Sequence, residues 1–198
     1  MVEYDATTGL IVTDVQNDFA DPKGSLYVRG GGDVVPLANR EIERCREAGA
    51  LVVYSQDWHP PSTPHFQKDG GIWPVHCVGG SWGADFHPDL WVLEDGEFLK
   101  KGTGGEDGYS VFTVRDPRTG EEASTALERI LKEHGIRRVV LVGLATDYCV
   151  KETALDARRL GFDTHALRDA IAAVDLEEGD GDRALAAMHD AGVEVEEG

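Results

Sequence analysis

The chain has 198 residues and carries 19 Lys and Arg against 37 Asp and Glu, a formal net charge of −18 with histidines neutral. Nucleic acids are held by neutralising phosphates with basic side chains, so this balance excludes them as partners and, by the same repulsion, excludes anionic membrane surfaces. A hydrophobic content of 41% is enough for a substantial core, and no repeat or low-complexity linker divides the sequence, so residues 1–198 are expected to form one domain.

The first residues lack the basic start and apolar core of a signal peptide, which points to the cytoplasm. The first apolar run, Gly9–Val15, delivers Asp14 near its end. A carboxylate there is a candidate general base; the plain alternative is an Asx turn or helix cap, the role expected of its neighbour Asp18. Val35, Ala38, Ile42 and Cys45 then repeat at helical spacing, and Gly49 is placed as the C-cap before the run Ala50–Ser55.

The segment from Asp57 to His76 holds three of the seven histidines. Asp57 and His59 are two apart and so share one side of an extended segment, while His65 and His76 return from the loop. One carboxylate and three imidazoles suit one divalent ion, Zn²⁺ first, with Fe²⁺ or Mn²⁺ as alternatives. The competing reading is a surface loop stiffened by Pro60, Pro61 and Pro64. Cys77 neighbours His76 and is expected to point away from it.

The run Glu97–Lys101 follows. Strand alternation sends Lys100 and Lys101 to opposite sides, so one of them can enter a site and lower the pKa of a nearby thiol and carboxylate. Ser124, Leu127, Ile130 and His134 mark a helix. Arg138–Leu144 marks a strand whose apolar stretch is far short of the ~18 residues of a membrane span. Next, Gly143 to Val150 reads as strand, turn and helix, with Thr146 or Asp147 as N-cap and Cys149 in the first turn, where the helix dipole favours a thiolate. A buried core cysteine is the alternative. Three cysteines make no disulfide framework, as in a reducing compartment. Val150, Ala154, Ala157 and Leu160 continue the helix, Gly161 ends it, and Phe162–Leu167 and Val193–Val195 are the last apolar runs. Residues 169–198 hold ten acids and one Arg, read as a solvated face.

Apolar strands without strict alternation, separated by helices, define a parallel sheet buried on both faces. The expected fold is α/β: a three-layer α/β/α sandwich with a mainly parallel, roughly six-stranded sheet. Ligands bind such sheets beyond the carboxyl ends of the strands, where Asp14, Asp57 and Cys149 fall. Phe19, Trp73, Tyr109 and Tyr148 accompany four of these segments. Each reads first as core, but together they suggest the walls of a pocket for a planar ring.

Several segments together resemble the nicotinamidase (pyrazinamidase) group of the isochorismatase-like cysteine hydrolases, over nearly the whole chain. They are Asp14-Val15-Gln16-Asn17-Asp18-Phe19, Asp57-Trp58-His59 with His65, Trp73-Pro74-Val75-His76-Cys77-Val78, Lys101-Gly102, Asp107-Gly108-Tyr109-Ser110 with Phe112, and Ala145-Thr146-Asp147-Tyr148-Cys149-Val150. The resemblance implies hydrolysis of nicotinamide to nicotinate and ammonia, and of pyrazinamide to pyrazinoate, in NAD salvage. It implies a triad of Asp14, Lys101 and Cys149, with Lys101 chosen over Lys100 because Gly102 follows it. It implies backbone N–H groups of Ala145 and Cys149 as oxyanion donors, shaped by a cis Leu144–Ala145 peptide. It also implies that the ion held by Asp57, His59, His65 and His76 binds the ring nitrogen, with Phe19, Trp73 and Tyr109 as walls and Tyr148 near the mouth. Two other readings stay open. One is a metal-independent amidase for ureido or carbamoyl compounds that keeps the triad; the other is a non-catalytic metal or small-ligand module with Cys149 in the core. The expected partner is a small-molecule substrate, with monomer and homo-oligomer both open.

Overall fold

The computed structural model describes residues 2–198. Strand β1 (Thr8–Thr13) is buried at every position. Its Leu10 and Val12 face one core and Ile11 the other, which is why the strand reads as a continuous apolar run. A short helix, α1 (Asn17–Ala20), precedes the long α2 (Gly31–Ala48), which buries Val35, Ala38, Ile42 and Cys45, the stripe that their spacing predicts. Gly49 ends α2 at φ 66°, a left-handed cap that glycine adopts without steric cost. Strands β2 (Leu51–Asp57) and β3 (Glu97–Lys101), the antiparallel pair β4 (Thr113–Arg115) and β5 (Glu122–Ser124), and helix α3 (Leu127–Glu133) come next. The chain finishes with β6 (Arg138–Leu144), α4 (Lys151–Arg159), β7 (Asp163–Ala172), α5 (Asp180–Asp190) and β8 (Glu194–Glu196).

The main sheet has the order β3-β2-β1-β6-β7-β8, and every neighbouring pair is parallel. Helix α2 covers one face. Leu127 and Leu131 of α3, Ala154 and Ala157 of α4, and Met188 of α5 cover the other. This is the expected three-layer sandwich. From β1 the chain winds outward to β2 and β3, then returns on the other side of β1 as β6, and such a reversal opens a crevice at the carboxyl ends of β1 and β6. Gly143 lets the two strands close tightly there: its φ is 113°, and a Cβ would lie 2.0 Å from the Thr13 carbonyl oxygen.

Three elements depart from the sequence reading. Ser124 belongs to β5 and does not open a helix; α3 starts only after Thr125, whose hydroxyl accepts the Leu127 N–H at 3.2 Å. The hairpin β4–β5 has no buried face to give it a pattern. Helix α5 lies inside the acidic stretch. Its Gly181, Ala184 and Met188 turn inward while its carboxylates face outward, so charge concealed a narrow apolar stripe. Among the described residues no helix is long and apolar enough to cross a membrane.

Candidate active site

Beyond the end of β1, Asp14 leaves the strand with φ 49°. Its carboxylate is fully buried. Oδ1 accepts the Ser55 hydroxyl at 2.7 Å, and Oδ2 lies 2.7 Å from the Lys101 ammonium. β3, paired outside β2, carries Lys101 inward, where its buried ammonium also contacts the Asp57 carboxylate and stands 3.5 Å from Cys149 Sγ. Lys100 points the other way, 3.2 Å from the centroid of the Trp58 ring. The glycine after Lys101 has a steric cause. Gly102 adopts φ 81°, and a Cβ there would approach His59 Nδ1 to 2.7 Å.

Cys149 comes from the other side of the crevice. A cis peptide joins Leu144 to Ala145, and Thr146–Val150 forms a π-helical turn continuous with α4. Ala145 caps this turn, in place of the expected Thr146 or Asp147. Asp147 is occupied elsewhere: its two oxygens accept the N–H groups of Val174 and Asp175 at 3.0 and 2.9 Å, which ties the segment after β7 to the turn holding Cys149. Cys149 Sγ and carboxylate oxygens of Asp14 and Asp57 all lie within 4.8 Å of one another.

Burial and charge oppose each other at this cluster. Burial pushes the Cys149 thiol well up against the lowering pull of Lys101. The Asp14 carboxyl is raised by the same desolvation, again against Lys101. Lys101 thus acts on both groups in the expected direction but does not lower either overall, because the charged form of a fully buried group loses its hydration. Asp57 differs. Burial pushes it up, yet Lys101, His59 and His76 together hold it well below the usual carboxylate range. Desolvation works against the Lys101 charge, but the flanking Asp14 and Asp57 keep its pKa well above the ordinary value.

Beside Asp57, the loop after β2 folds three imidazoles together. The ligand atoms of His59, His65 and His76 lie within 4.8 Å of one another and all three rings are buried. Asp57 Oδ2 is 3.7 Å from His59 Nε2 and 3.9 Å from His76 Nε2. Among the described residues neither ring nitrogen of His59 has a hydrogen-bond partner, and leaving such a group unsatisfied costs roughly 1–3 kcal/mol. His76 Nδ1 meets the Pro74 carbonyl at 2.8 Å and His65 Nδ1 meets Asp107 Oδ1 at 2.9 Å, so Nε2 of each remains available. Burial lowers His76 to about 4, which keeps that ring neutral as a ligand must be. This donor set fits a divalent ion. Cys77 stands apart: its Sγ faces the Gly83 carbonyl at 3.8 Å, and its N–H is held by Asp18, which serves the structural role expected of it.

A cleft lies between the two groups, lined by Phe19, Trp73, His76, Tyr109, Ala145 and Cys149. Trp73 Nε1 donates to the Tyr109 hydroxyl at 3.1 Å, and Tyr148 meets both rings edge-on at centroid distances of 4.8 and 5.1 Å. Leu144 faces the core instead, so of the cis pair Ala145 alone borders the cleft. Sequence reasoning missed Leu26 and Val174, which also line it. As isolated apolar residues in loops they carry no signal. Ser55 was legible in principle, since it lies two residues before Asp57 on one strand and so shares its side.

Residues 8–197 match the model of the isochorismatase domain family. The chain belongs to that family. Among isochorismatase-family relatives, the nicotinamidase of Escherichia coli (strain K12) is 36% identical, over 92% of this chain and 91% of its own. The crystal structure of the pyrazinamidase of Pyrococcus horikoshii in complex with zinc superposes with a TM-score of 0.86 at 38% identity, covering 97% of this chain and 99% of that one. PnC1 from L. infantum in complex with nicotinate gives a TM-score of 0.88 at 37% identity, covering 99% and 96%.

Proposed function

We propose that this chain is an amidohydrolase that converts nicotinamide to nicotinate and ammonia, and pyrazinamide to pyrazinoate, through a thioester on Cys149. The observation that carries this reading is one cleft bordered at once by Cys149, behind which stand Asp14 and Lys101, and by Asp57, His65 and His76, which adjoin His59. The names of the E. coli, P. horikoshii and L. infantum proteins support it.

Asp14 accepts the Cys149 proton, and the thiolate forms a bond to the carboxamide carbon. Lys101 offsets the negative charge that passes between the two groups. As the carbon–nitrogen bond breaks, Asp14 returns the proton to the leaving nitrogen and ammonia departs. A water molecule then adds to the thioester, again giving a proton to Asp14, and the carbon–sulfur bond breaks to release the acid and restore the thiol. Covalent catalysis thus divides a stable amide bond into two easier steps. The backbone N–H groups of Ala145 and Cys149 are assigned to the oxyanion in both. Asp57, His59, His65 and His76 would hold one divalent ion, zinc in our reading, which when bound supplies a Lewis-acidic contact for a ring nitrogen. Phe19, Trp73 and Tyr109 confine the flat ring, with Tyr148 at the mouth. We assign residues 1–198 to a single catalytic domain acting on a small molecule in the cytoplasm.

Purified, metal-loaded protein is expected to release ammonia from nicotinamide, and Cys149→Ala to release none above background while keeping its melting temperature. Wild-type protein that turns over no nicotinamide overturns the proposal. A carbamoyl-amide specificity is disfavoured because it gives the unpartnered nitrogens of His59 no role.

A further inference from the structure

The three imidazoles differ in what meets the second nitrogen. His59 has no partner there among the described residues, His76 uses the carbonyl of Pro74, and His65 uses a carboxylate, Asp107 Oδ1 at 2.9 Å. Asp107 is not one of the expected ligands, and it lies 42 residues from His65 in sequence. Its surroundings hold it firmly. Oδ1 also accepts the Gly108 N–H at 2.9 Å, Oδ2 lies 3.4 Å from the Arg115 guanidinium, and the backbones of 107 and 115 exchange hydrogen bonds of 2.7 and 2.5 Å. Gly108 follows at φ 131°, where a Cβ would come within 3.2 Å of Thr113 O and Val114 Cα. His65, by contrast, sits in a loop between Pro64 and Phe66, outside the main sheet.

A ligating histidine needs its second nitrogen fixed, because that contact sets the tautomer and the rotation of the ring, and a carboxylate in that place also raises the basicity of the ligating nitrogen. We infer that Asp107 is a positioning residue of the metal centre: its carboxylate holds the proton of His65 on Nδ1 and presents Nε2 to the ion. The same short segment carries Tyr109, whose hydroxyl accepts from Trp73, so one rigid bridge between residues 107 and 115 sets both a ligand of the ion and a wall of the cleft. This inference rests on the reading of the histidine cluster as a metal site.

The test is the Zn²⁺ affinity of metal-stripped protein, measured by competition with a chromophoric chelator. Asp107→Ala is expected to bind Zn²⁺ roughly 10–100-fold more weakly than wild type, the range typical for loss of such a contact. Asp107→Asn keeps an oxygen for the His65 proton but loses the charge, and is expected to fall between the two, at least threefold below wild type. Arg115→Ala, which removes only the outer contact of Asp107, is expected to bind within threefold of wild type. If Asp107→Ala fails to fold, as judged by the melting temperature of the metal-free protein, the near-isosteric Asp107→Asn decides. Wild-type affinity in a folded Asp107→Ala or in Asp107→Asn overturns the inference, as does an equal weakening in Arg115→Ala, which would mean that only loop stability is at stake. Wild-type protein that takes up no Zn²⁺ overturns the metal reading itself and this inference with it, whereas the first two outcomes leave that reading intact.

Discussion

At Asp14 three effects compete: burial raises the proton affinity of the carboxyl, Lys101 lowers it, and the nearby charge of Asp57 raises it again. The net result is a weaker acid than an ordinary aspartate. That suits a base whose proton must come from a thiol that burial has also pushed up, since raising Asp14 narrows the gap between donor and acceptor. The carboxylate has to be ionised to act. Activity is therefore expected to be lost as pH falls through the raised pKa, so the acid limb of kcat/KM for nicotinamide should lie above the ordinary carboxyl value of 3.8. Ser55 donates to the ionised form and holds the pKa down, so Ser55→Ala should move that limb further up. A wild-type limb at or below 3.8 would remove Asp14 from the role of base.

Among the elements, β2 shows how a strand can serve two centres. Ser55 and Asp57 are two residues apart and point the same way, one to Asp14 and the other to Lys101, while the chain beyond β2 supplies His59. This works only if the neighbouring strands hold their register, and the register depends on how well the helices cover the sheet. Ile42 in α2 is among the largest fully buried side chains on its face. Ile42→Ala leaves a cavity under the sheet and is expected to cost about 2–5 kcal/mol of unfolding free energy, read from denaturant melts. A loss below about 1 kcal/mol would mean that α2 is less firmly packed than its burial indicates. Helix α5 is the complementary case. It packs against the turn that carries Cys149, yet two of its three buried residues, Gly181 and Ala184, are small, so the stripe was overlooked among the surrounding carboxylates.

Across the whole molecule, the net charge of −18 and the chemistry occupy different places. Asp190, Glu194 and Glu197 are exposed near the C-terminal end, and exposed charges more than about 8 Å apart are largely screened at physiological ionic strength. Neutralising all three (Asp190→Asn, Glu194→Gln, Glu197→Gln) is expected to change solubility and the salt dependence of melting while kcat/KM for an uncharged amide stays within about twofold. A tenfold loss in steady-state assays would show that the acidic end takes part in turnover. Much of the architecture was legible beforehand, because apolar runs buried on both faces and helical stripes on α2 and α4 record their surroundings directly in residue type. Asp14, Asp57 and Cys149 were legible as polar residues just beyond such runs, and the histidines as a cluster. Several decisive features were not. The choice of Lys101 over Lys100 could not be made by alternation alone, because period two separates the pair without saying which side is the site. Asp107 beside His65, Asp147 beneath Val174, and the excess of burial over charge at the thiol are products of folding. The sequence by itself determined the layers, the strand ends and the kinds of chemical group available. Tertiary structure alone decided which groups meet and which of them are dry, since distance and desolvation depend on residues far apart in the chain.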